Sequence, residues 1–265
     1  MDWFPLTLLC AFSLASADAL TKRYLSDYSG RELVLVRFAL PAVLLAPLML
    51  VEPLPPVPPV FWAWIVVLVP LELVAMLLYM LAIRDSPLHL TLPYLAFTPV
   101  FNILTGWWVL GEEVSWRGAG GIALVVVGAY LLNLRDARRG GLRTWLAPFP
   151  AVFHERGSRL MLGTAAIYSV TSVMGKAAMA YATPASFGPF YFVVLGIVTV
   201  VAFGVHRPGG VRVLWRRPAA HLAVGLAMPV RVVTHFLALA RVDLADMISL
   251  TRTSLLFGTL SRALL

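Results

Sequence analysis

The chain has 265 residues, of which 60% are hydrophobic and only 13% are charged. A soluble domain typically has about 45–50% apolar and about 25% charged residues, so this composition excludes a water-soluble globule and predicts an integral membrane protein. The net charge of +8 would suggest a nucleic-acid partner in a soluble protein. Here the arginines cluster in short loops between apolar segments, so we expect a lipid bilayer and no nucleic acid as partner.

Apolar segments long enough to cross a bilayer, about 20 residues each, follow one another along the chain. The predicted spans are 3–22, 32–51, 60–82, 88–110 and 115–134, then, after an arginine-rich stretch at 135–159, 160–181, 185–205, 219–240 and 244–265. We therefore expect an all-α membrane protein with about nine transmembrane helices.

Five prolines lie inside the predicted spans, where neighbouring helices can satisfy the backbone groups that proline leaves unpaired. They are Pro41, Pro70, Pro93, Pro99 and Pro229. They indicate either kinked helices around a cavity or kinks that serve packing alone.

The second half of the chain aligns with the first. Lys22 falls opposite Lys176, each near the end of the first helix of its half, and the polar joint 82–88 falls opposite 238–244. An odd number of spans in each repeat would place the two copies upside down relative to each other. Inverted repeats of this kind build transporters with a binding site near the bilayer midplane.

The stretch from Leu81 through Thr98-Pro99-Val100-Phe101, then Leu110-Gly111-Glu112 and the glycine-rich segment 118–132, resembles the EamA-type repeat of the drug/metabolite transporter superfamily. Lys22 and Arg37 match residue types common in that pattern. The resemblance covers essentially the whole chain. It implies two inverted five-helix repeats, ten helices in all, and the export or import of small metabolites.

The second copy departs from the resemblance at its end. In the frame that pairs Ala82 with Ala238, Gly111-Glu112 would fall at 267–268, just past Leu265. We therefore expect a five-helix repeat at 1–134, a basic linker at 135–159 and a four-helix repeat at 160–265 that lacks its fifth helix. A truncated second repeat and a natural nine-helix variant are both left open.

The basic residues collect in the loops that follow odd-numbered spans, while the even-numbered loops hold little beyond Arg117 and Arg241. The positive-inside rule then places the odd loops in the cytoplasm and the N-terminus outside. We expect a multi-pass protein of a bacterial or archaeal cytoplasmic membrane.

Ionisable side chains within spans are costly and usually face a cavity or a partner. Asp18 and Lys22 lie four residues apart on one helix face, where opposite charges can pair. Arg37 and Lys176 either face a cavity or extend to the membrane interface. The candidate substrate or coupling residues are Glu72, Arg231, Lys22, Lys176, Arg37, Asp18, His235 and Arg252.

Glu72 lies midway along the third predicted span, where it cannot easily reach either surface. In the repeat frame its counterpart is Met228, and Arg231 lies within one turn of that position. Central positions on symmetry-related helices approach each other, so we expect Glu72 and Arg231 to face a shared cavity. Glu72 then either exchanges a proton during transport or forms a static pair that fixes helix packing.

The sequence argues against an enzyme. It contains no His-Glu-x-x-His, no P-loop and no Gly-x-Ser-x-Gly motif, and its five histidines show no ligand spacing. We expect no cofactor and no metal. The leading hypothesis is a secondary transporter that moves small organic metabolites or drugs by alternating access, driven by a gradient. The alternative is a non-transporting scaffold or assembly subunit, and a homodimer is left open.

Overall fold

A computed structural model of the protein describes residues 3–134, 155–205 and 210–254. All regular secondary structure in these ranges is helical. Most of the predicted linker, at 135–154, and the last part of the ninth predicted span, at 255–265, lie outside the described residues.

The first half folds into seven α-helices and one 3₁₀-helix within the described residues. They are α1 (Trp3–Tyr24), α2 (Gly30–Leu45), α3 (Leu48–Val51), α4 (Pro59–Asp85), α5 (Leu88–Thr91), a 3₁₀-helix (Leu92–Ala96), α6 (Phe97–Leu110) and α7 (Trp116–Leu134).

Two predicted spans of the first half are not regular α-helix throughout. The segment at 32–51 is irregular at Ala46 and Pro47, between α2 and α3, although the backbone stays in the helical region there and Gly30–Val51 as a whole is long enough to cross a membrane. The segment at 88–110 is three short helices rather than one, with Pro93 in the 3₁₀ turn between α5 and α6. Proline has no backbone N–H to donate to the preceding turn, which explains why both segments depart from a continuous α-helix.

The second half begins with the longest of its helices. Its elements are α8 (Arg156–Met179), α9 (Pro184–Thr199), which continues as a π-helical segment (Val200–Val205), a 3₁₀-helix (Val211–Trp215), α10 (Pro218–Leu239) and α11 (Leu244–Thr251).

Five helices in the described part of the chain are long and apolar enough to cross a membrane. They span Trp3–Tyr24, Gly30–Val51, Pro59–Asp85, Pro184–Val205 and Pro218–Leu239. The helices α6 and α11 are shorter than a full span, α7 has a short apolar part at Gly118–Leu131, and the serines and threonines of α8 make it less apolar than the five. The protein is an all-α, multi-pass membrane protein.

Local sequence sets the helix ends. Ser29 begins α2 with a capping box, in which its hydroxyl accepts from the Glu32 amide and the Glu32 carboxylate accepts from the Ser29 amide. Pro184 and Pro218 occupy first-turn positions, where the missing N–H costs nothing. Gly111 ends α6 in the left-handed region at φ 68°, a conformation that glycine adopts without strain.

The main helix pairs join one half of the chain to the other. The helix α1 packs chiefly on α10, α4 on α8, and α2 on α9. Glycine permits the close approach of α9 to α2, because a Cβ on Gly196 of α9 would lie 3.0 Å from the carbonyl oxygen of Phe38 on α2. The two halves therefore interlock around a common centre.

Candidate functional site

A cavity of about 100 Å³ lies at the centre of this helix bundle. Its walls come from both halves of the chain, including α2 and α4 from the first and α8, α9 and α10 from the second. The ionisable residues that line it, other than tyrosines, are Arg37, Glu72, Arg231, His235 and Arg252. The interface between the halves is thus strongly charged, although the helices around it are apolar.

Glu72 and Arg231 both line this cavity. Glu72 is the central residue of α4 (Pro59–Asp85), about 20 Å from either end at 1.5 Å per residue. Each of the two charged residues follows an in-helix proline by two positions, Pro70 in α4 and Pro229 in α10. Each proline removes one backbone hydrogen bond next to the cavity, which loosens the helix at that point.

The groups that act most directly on Glu72 come from the opposite half of the chain. They are the Thr171 hydroxyl of α8 and the Arg231 guanidinium of α10. Among the described residues the Glu72 carboxylate forms no ion pair, and the Thr171 hydroxyl is placed to donate a hydrogen bond to it. Glu72 is half-buried, so its carboxylate can take up a proton or another cationic partner.

Arg37 is engaged in a different way. Its guanidinium forms a buried ion pair with Asp18, which also accepts a hydrogen bond from the Tyr79 hydroxyl. A second guanidinium nitrogen contacts the sulfur of Met228 at 3.5 Å. Three helices of the first half are joined through this cluster of Asp18, Arg37 and Tyr79, which we call the Asp18 cluster.

The Asp18 cluster corrects two sequence-based expectations. Asp18 does not pair with Lys22, since Arg37 on α2 and Tyr79 on α4 occupy its carboxylate. The alternative that Arg37 extends to the membrane interface is also wrong, because the side chain is 1% exposed. Helical spacing shows which residues share a face of one helix, but α1 turns that face toward two other helices.

A second group of basic side chains comes from the second half of the chain. Arg231 and His235 share one face of α10, as their four-residue spacing predicts, and Arg252 follows α11. The Nε atoms of Arg231 and Arg252 and the Nδ1 atom of His235 are buried without a hydrogen-bond partner in the described part of the chain. All three side chains line the cavity, and the Nε–H groups of the two arginines are donors without an acceptor among the described residues.

Tyrosines complete the polar lining. Tyr79 and Tyr168 lie with ring centroids 6.3 Å apart, and Tyr191 stacks on Phe187 at 5.7 Å. The Tyr191 hydroxyl is buried and unpaired among the residues described. Such rings offer a flat apolar surface with a polar edge, which suits a small organic molecule.

The two candidate lysines lie outside the cavity, at helix ends. The Lys22 ammonium donates to the carbonyl oxygens of Ile83, Arg84 and Ser86 at 2.7, 3.1 and 3.0 Å. These carbonyls end α4, so Lys22 anchors the end of the third span to the end of the first.

Lys176 occupies a similar place in the second half. Its ammonium donates to the Val242 carbonyl at 3.1 Å and lies 2.5 Å from a carboxylate oxygen of Glu112. The other Glu112 oxygen accepts from the Leu244 amide at 3.2 Å. Lys176 does not line the central cavity, but it lines a second, more open cavity at this end of the bundle, where it links α8, the α10–α11 joint and the α6–α7 turn.

Sequence reasoning missed the Asp18–Arg37 pair and the Lys176–Glu112 pair. The signal for the first was present, since Arg37 is near the midpoint of α2 and needs an anion from some other helix. The second had no signal, because Glu112 lies in a turn 64 residues from Lys176 along the chain.

The described residues hold no group of three or more His, Cys, Asp or Glu side chains that could bind a metal ion. The lining of the central cavity consists of charged side chains, hydrogen-bonding groups and aromatic rings.

Comparison with known proteins agrees with this architecture. Residues 2–134 match the EamA-like transporter family, and this match covers half of the chain. No curated protein matches the chain at a significant level. The fold is all-helical, and helices from both halves of the chain surround a charged central cavity. With the match over half of its length, the chain belongs to the EamA-like transporter family.

Proposed function

We propose that the protein is a secondary transporter that carries a small organic metabolite or drug across the cytoplasmic membrane by alternating access. The observation that carries the proposal is the central cavity, in which Glu72 of the first half and Arg231 of the second half share one lining. Charged side chains are placed at such depth in a membrane protein at a cost of several kcal/mol, so a binding role is the natural reason to retain them.

The proposal requires two inverted repeats that rock around a shared site. Reciprocal packing supports the repeats, since the first span of each half lies on the third span of the other, α1 on α10 and α8 on α4. The lysines support them too. In the repeat frame Ser86 corresponds to Val242, and their carbonyls accept from Lys22 and Lys176 respectively.

Glu72 is the proposed coupling residue. A carboxylate that can pair with Arg231 or take up a proton would link solute movement to a proton gradient. The charged and titratable groups around it are Arg231, His235 and Arg252 from the second half of the chain, the Asp18 cluster from the first half, and the two tyrosines Tyr168 and Tyr191. A static Glu72–Arg231 pair that fixes packing is the competing role.

The proposed orientation places the odd-numbered loops in the cytoplasm and the N-terminus outside. Contacts at one end of the bundle support a common basic face. Arg217, just before α10, forms an ion pair with Asp27 of the α1–α2 loop at 2.9 Å, and Arg156, at the start of α8, lies 3.8 Å from Asp85 at the end of α4. Impermeant cysteine labelling of single-cysteine variants in a Cys10→Ser background tests it, with one cysteine near the N-terminus and one at Arg156, whose side chain is exposed. Labelling of Arg156→Cys from outside intact cells would overturn the orientation.

The experiment for function is solute flux in proteoliposomes, with a metabolite panel and a set pH gradient. We expect wild-type protein to accumulate at least one solute against its gradient. Glu72→Gln should insert and exchange solute normally but lose proton-driven accumulation, while Val230→Ala, on the exposed face of α10, should behave as wild type. Unchanged pH-driven accumulation by Glu72→Gln would rule out coupling through Glu72. A protein that moves no solute in the panel would favour the scaffold.

A further inference from the structure

We infer that the central cavity binds a small organic anion, with its carboxylate or phosphate held between Arg252 and Arg231. This inference rests on the proposed transport function and names the class of its substrate. It is carried by the imbalance of charge around the cavity and by the burial of Arg252.

The imbalance follows from which charges already have partners. Three arginines line the cavity, Arg37, Arg231 and Arg252. Asp18 neutralises Arg37 in a direct ion pair, and Glu72 faces Arg231 without closing one. With both carboxylates ionised, one positive charge is left in excess, and it lies on the Arg231–Arg252 wall.

Arg252 is the clearest case of an unmet charge. Its residue is 7% exposed, and its side chain lines the cavity. Among the described residues it forms no ion pair and no side-chain hydrogen bond, and its Nε is buried without a partner. Removing a guanidinium from water without a counter-charge is strongly unfavourable. An anion in the cavity would supply both the charge and the acceptors.

The neighbours of Arg252 fit the same ligand. His235 lies close enough to both arginines to feel their charges, and its unpaired Nδ1 adds a third nitrogen to the same wall. Planar guanidinium groups match the geometry of carboxylate and phosphate oxygens better than any other side chain. The charged head of the ligand therefore belongs at this wall.

The rest of the lining suits a short organic body. Val232, Phe236, Leu239 and Ile248 line the cavity beside the arginines. A volume of about 100 Å³ is small against the ~300–1,000 Å³ of drug-sized ligand sites. This restricts the closed cavity to small molecules with few carbon atoms.

A cationic solute fits this cavity poorly. Glu72 is the lining carboxylate that is free of a direct ion pair in the described part of the chain, and it faces Arg231. A cation that paired with Glu72 would displace Arg231 from that carboxylate. It would then lie beside the positive charges of both Arg231 and Arg252. The geometry therefore discriminates by the sign of charge before it discriminates by shape.

Matched probes that differ only in charge test the inference. Butyrate, butyramide and butylamine share one carbon skeleton, and benzoate, benzamide and benzylamine give a larger set. Binding to the detergent-solubilised protein is measured by ligand-induced shift of thermal unfolding and by calorimetry. We expect each anion to bind at least ten-fold more tightly than its amide, and the amines to give no shift. Equal binding within a set, tighter binding of an amine, or no binding by any probe would overturn the anion site.

Arginine variants locate the site. Arg252→Gln should lose at least ten-fold in butyrate affinity, whereas Arg252→Lys, which keeps the charge, should lose less. Arg212→Gln removes an exposed positive charge outside the cavity and should bind butyrate as wild type does. Loss of affinity in Arg212→Gln equal to that in Arg252→Gln would mean a non-specific charge effect and would overturn the assignment.

Flux measurements separate this inference from the proposed function. Transport of butylamine or butyramide without butyrate would preserve the transporter and overturn the anion site. Specific butyrate binding that needs Arg252, with no flux of any solute, would preserve the anion site and overturn the transporter.

Discussion

Two arginines in this molecule are almost completely buried and yet differ in what surrounds them. Arg37 is 1% exposed and Arg252 is 7% exposed. Arg37 has an ion pair with Asp18 and a sulfur contact with Met228, although its Nε, like that of Arg252, is buried without a hydrogen-bond partner among the described residues. Arg252 has neither an ion pair nor a side-chain hydrogen bond among the described residues. Arg37 is therefore part of the scaffold, and Arg252 depends on something that the described chain does not supply.

The comparison teaches how to separate structural from functional charge inside a membrane. A buried charge that has a counter-charge within the chain stabilises one arrangement of helices. A buried charge that faces a cavity without a partner destabilises the empty protein, and it is retained where a ligand compensates it. Arg252, which lines the cavity with Glu72 and Arg231, is a buried charge of the second kind.

The largest expected change in the free energy of unfolding follows from a substitution in the Asp18 cluster. Asp18→Leu leaves Arg37 buried without a counter-charge, so we expect a loss of about 3–5 kcal/mol in the free energy of unfolding. Thermal unfolding in detergent measures it. The double variant Asp18→Leu with Arg37→Met should recover most of the loss, since it removes both charges. Wild-type stability in Asp18→Leu alone would mean that the pair is not structural.

A smaller effect is expected at Lys22, a third cation whose partners come from the chain. Lys22→Met frees three carbonyl oxygens at the end of α4, and hydrogen bonds to a charged group contribute about 1.5–3 kcal/mol. We expect a loss of stability in that range. Cavity binding of butyrate should be unchanged, because Lys22 lies outside the cavity. A loss of butyrate binding without loss of stability would contradict the division between scaffold and site.

Replacing Arg252 should raise the stability of the protein, whereas replacing Asp18 or Lys22 should lower it. Arg252→Met removes an unpaired buried charge and keeps much of the side-chain volume, so we expect the empty protein to gain about 1–2 kcal/mol. Butyrate should no longer stabilise this variant. The readout is the unfolding midpoint with and without butyrate. A destabilised Arg252→Met protein would show that Arg252 has a structural role like that of Arg37.

The smallest effect concerns Glu155, which caps the start of α8 at the edge of the bundle. Burial raises its pKa, but hydrogen bonds from Ser158 and Ser86 outweigh burial, so the pKa of this carboxyl lies below its ordinary value of 4.5. Such a group contributes stability above its unfolded pKa, and the contribution is lost as the pH falls through the lowered folded pKa. Because solvent screens a partly exposed group, we expect less than about 1 kcal/mol.

The measurement for Glu155 is the pH dependence of unfolding between pH 7 and pH 3. Wild-type protein should lose a small increment of stability below pH 4.5 that Glu155→Gln lacks. Parallel curves for the two proteins would show that Glu155 does not cap α8 in solution.

Much of this fold follows from the sequence. The apolar pattern predicts spans at 3–22, 60–82 and 219–240, and the structure has helices at Trp3–Tyr24, Pro59–Asp85 and Pro218–Leu239. Glu72 and Arg231 line one cavity, as the alignment of the two repeats predicts. The alignment pairs central positions of symmetry-related helices, and hydropathy alone contains no such pairing.

The remainder depends on packing between distant helices. Asp18 pairs with Arg37 instead of Lys22 because the folded bundle brings these side chains of α1 and α2 together, and the spacing of residues within α1 does not show which other helix supplies the partner. The interruption of the span at 88–110 was signalled by Pro93, yet a proline inside a span can also be tolerated as a kink. Arg252 looks like any other charge near a helix end until the cavity beside it is known.

The central claim is that this cavity is the transport site, open to the two sides of the membrane in turn. Ser172 lines the cavity on α8 and is small enough to replace with cysteine. The measurement is labelling of Ser172→Cys, in a Cys10→Ser background, by an impermeant thiol reagent added to either side of sealed proteoliposomes. Val230→Cys, on the exposed face of α10, is the control that no aqueous route should reach. We predict labelling of Ser172→Cys from both sides, slowed by butyrate and not by butyramide. Labelling from one side alone, or from neither, would contradict the account.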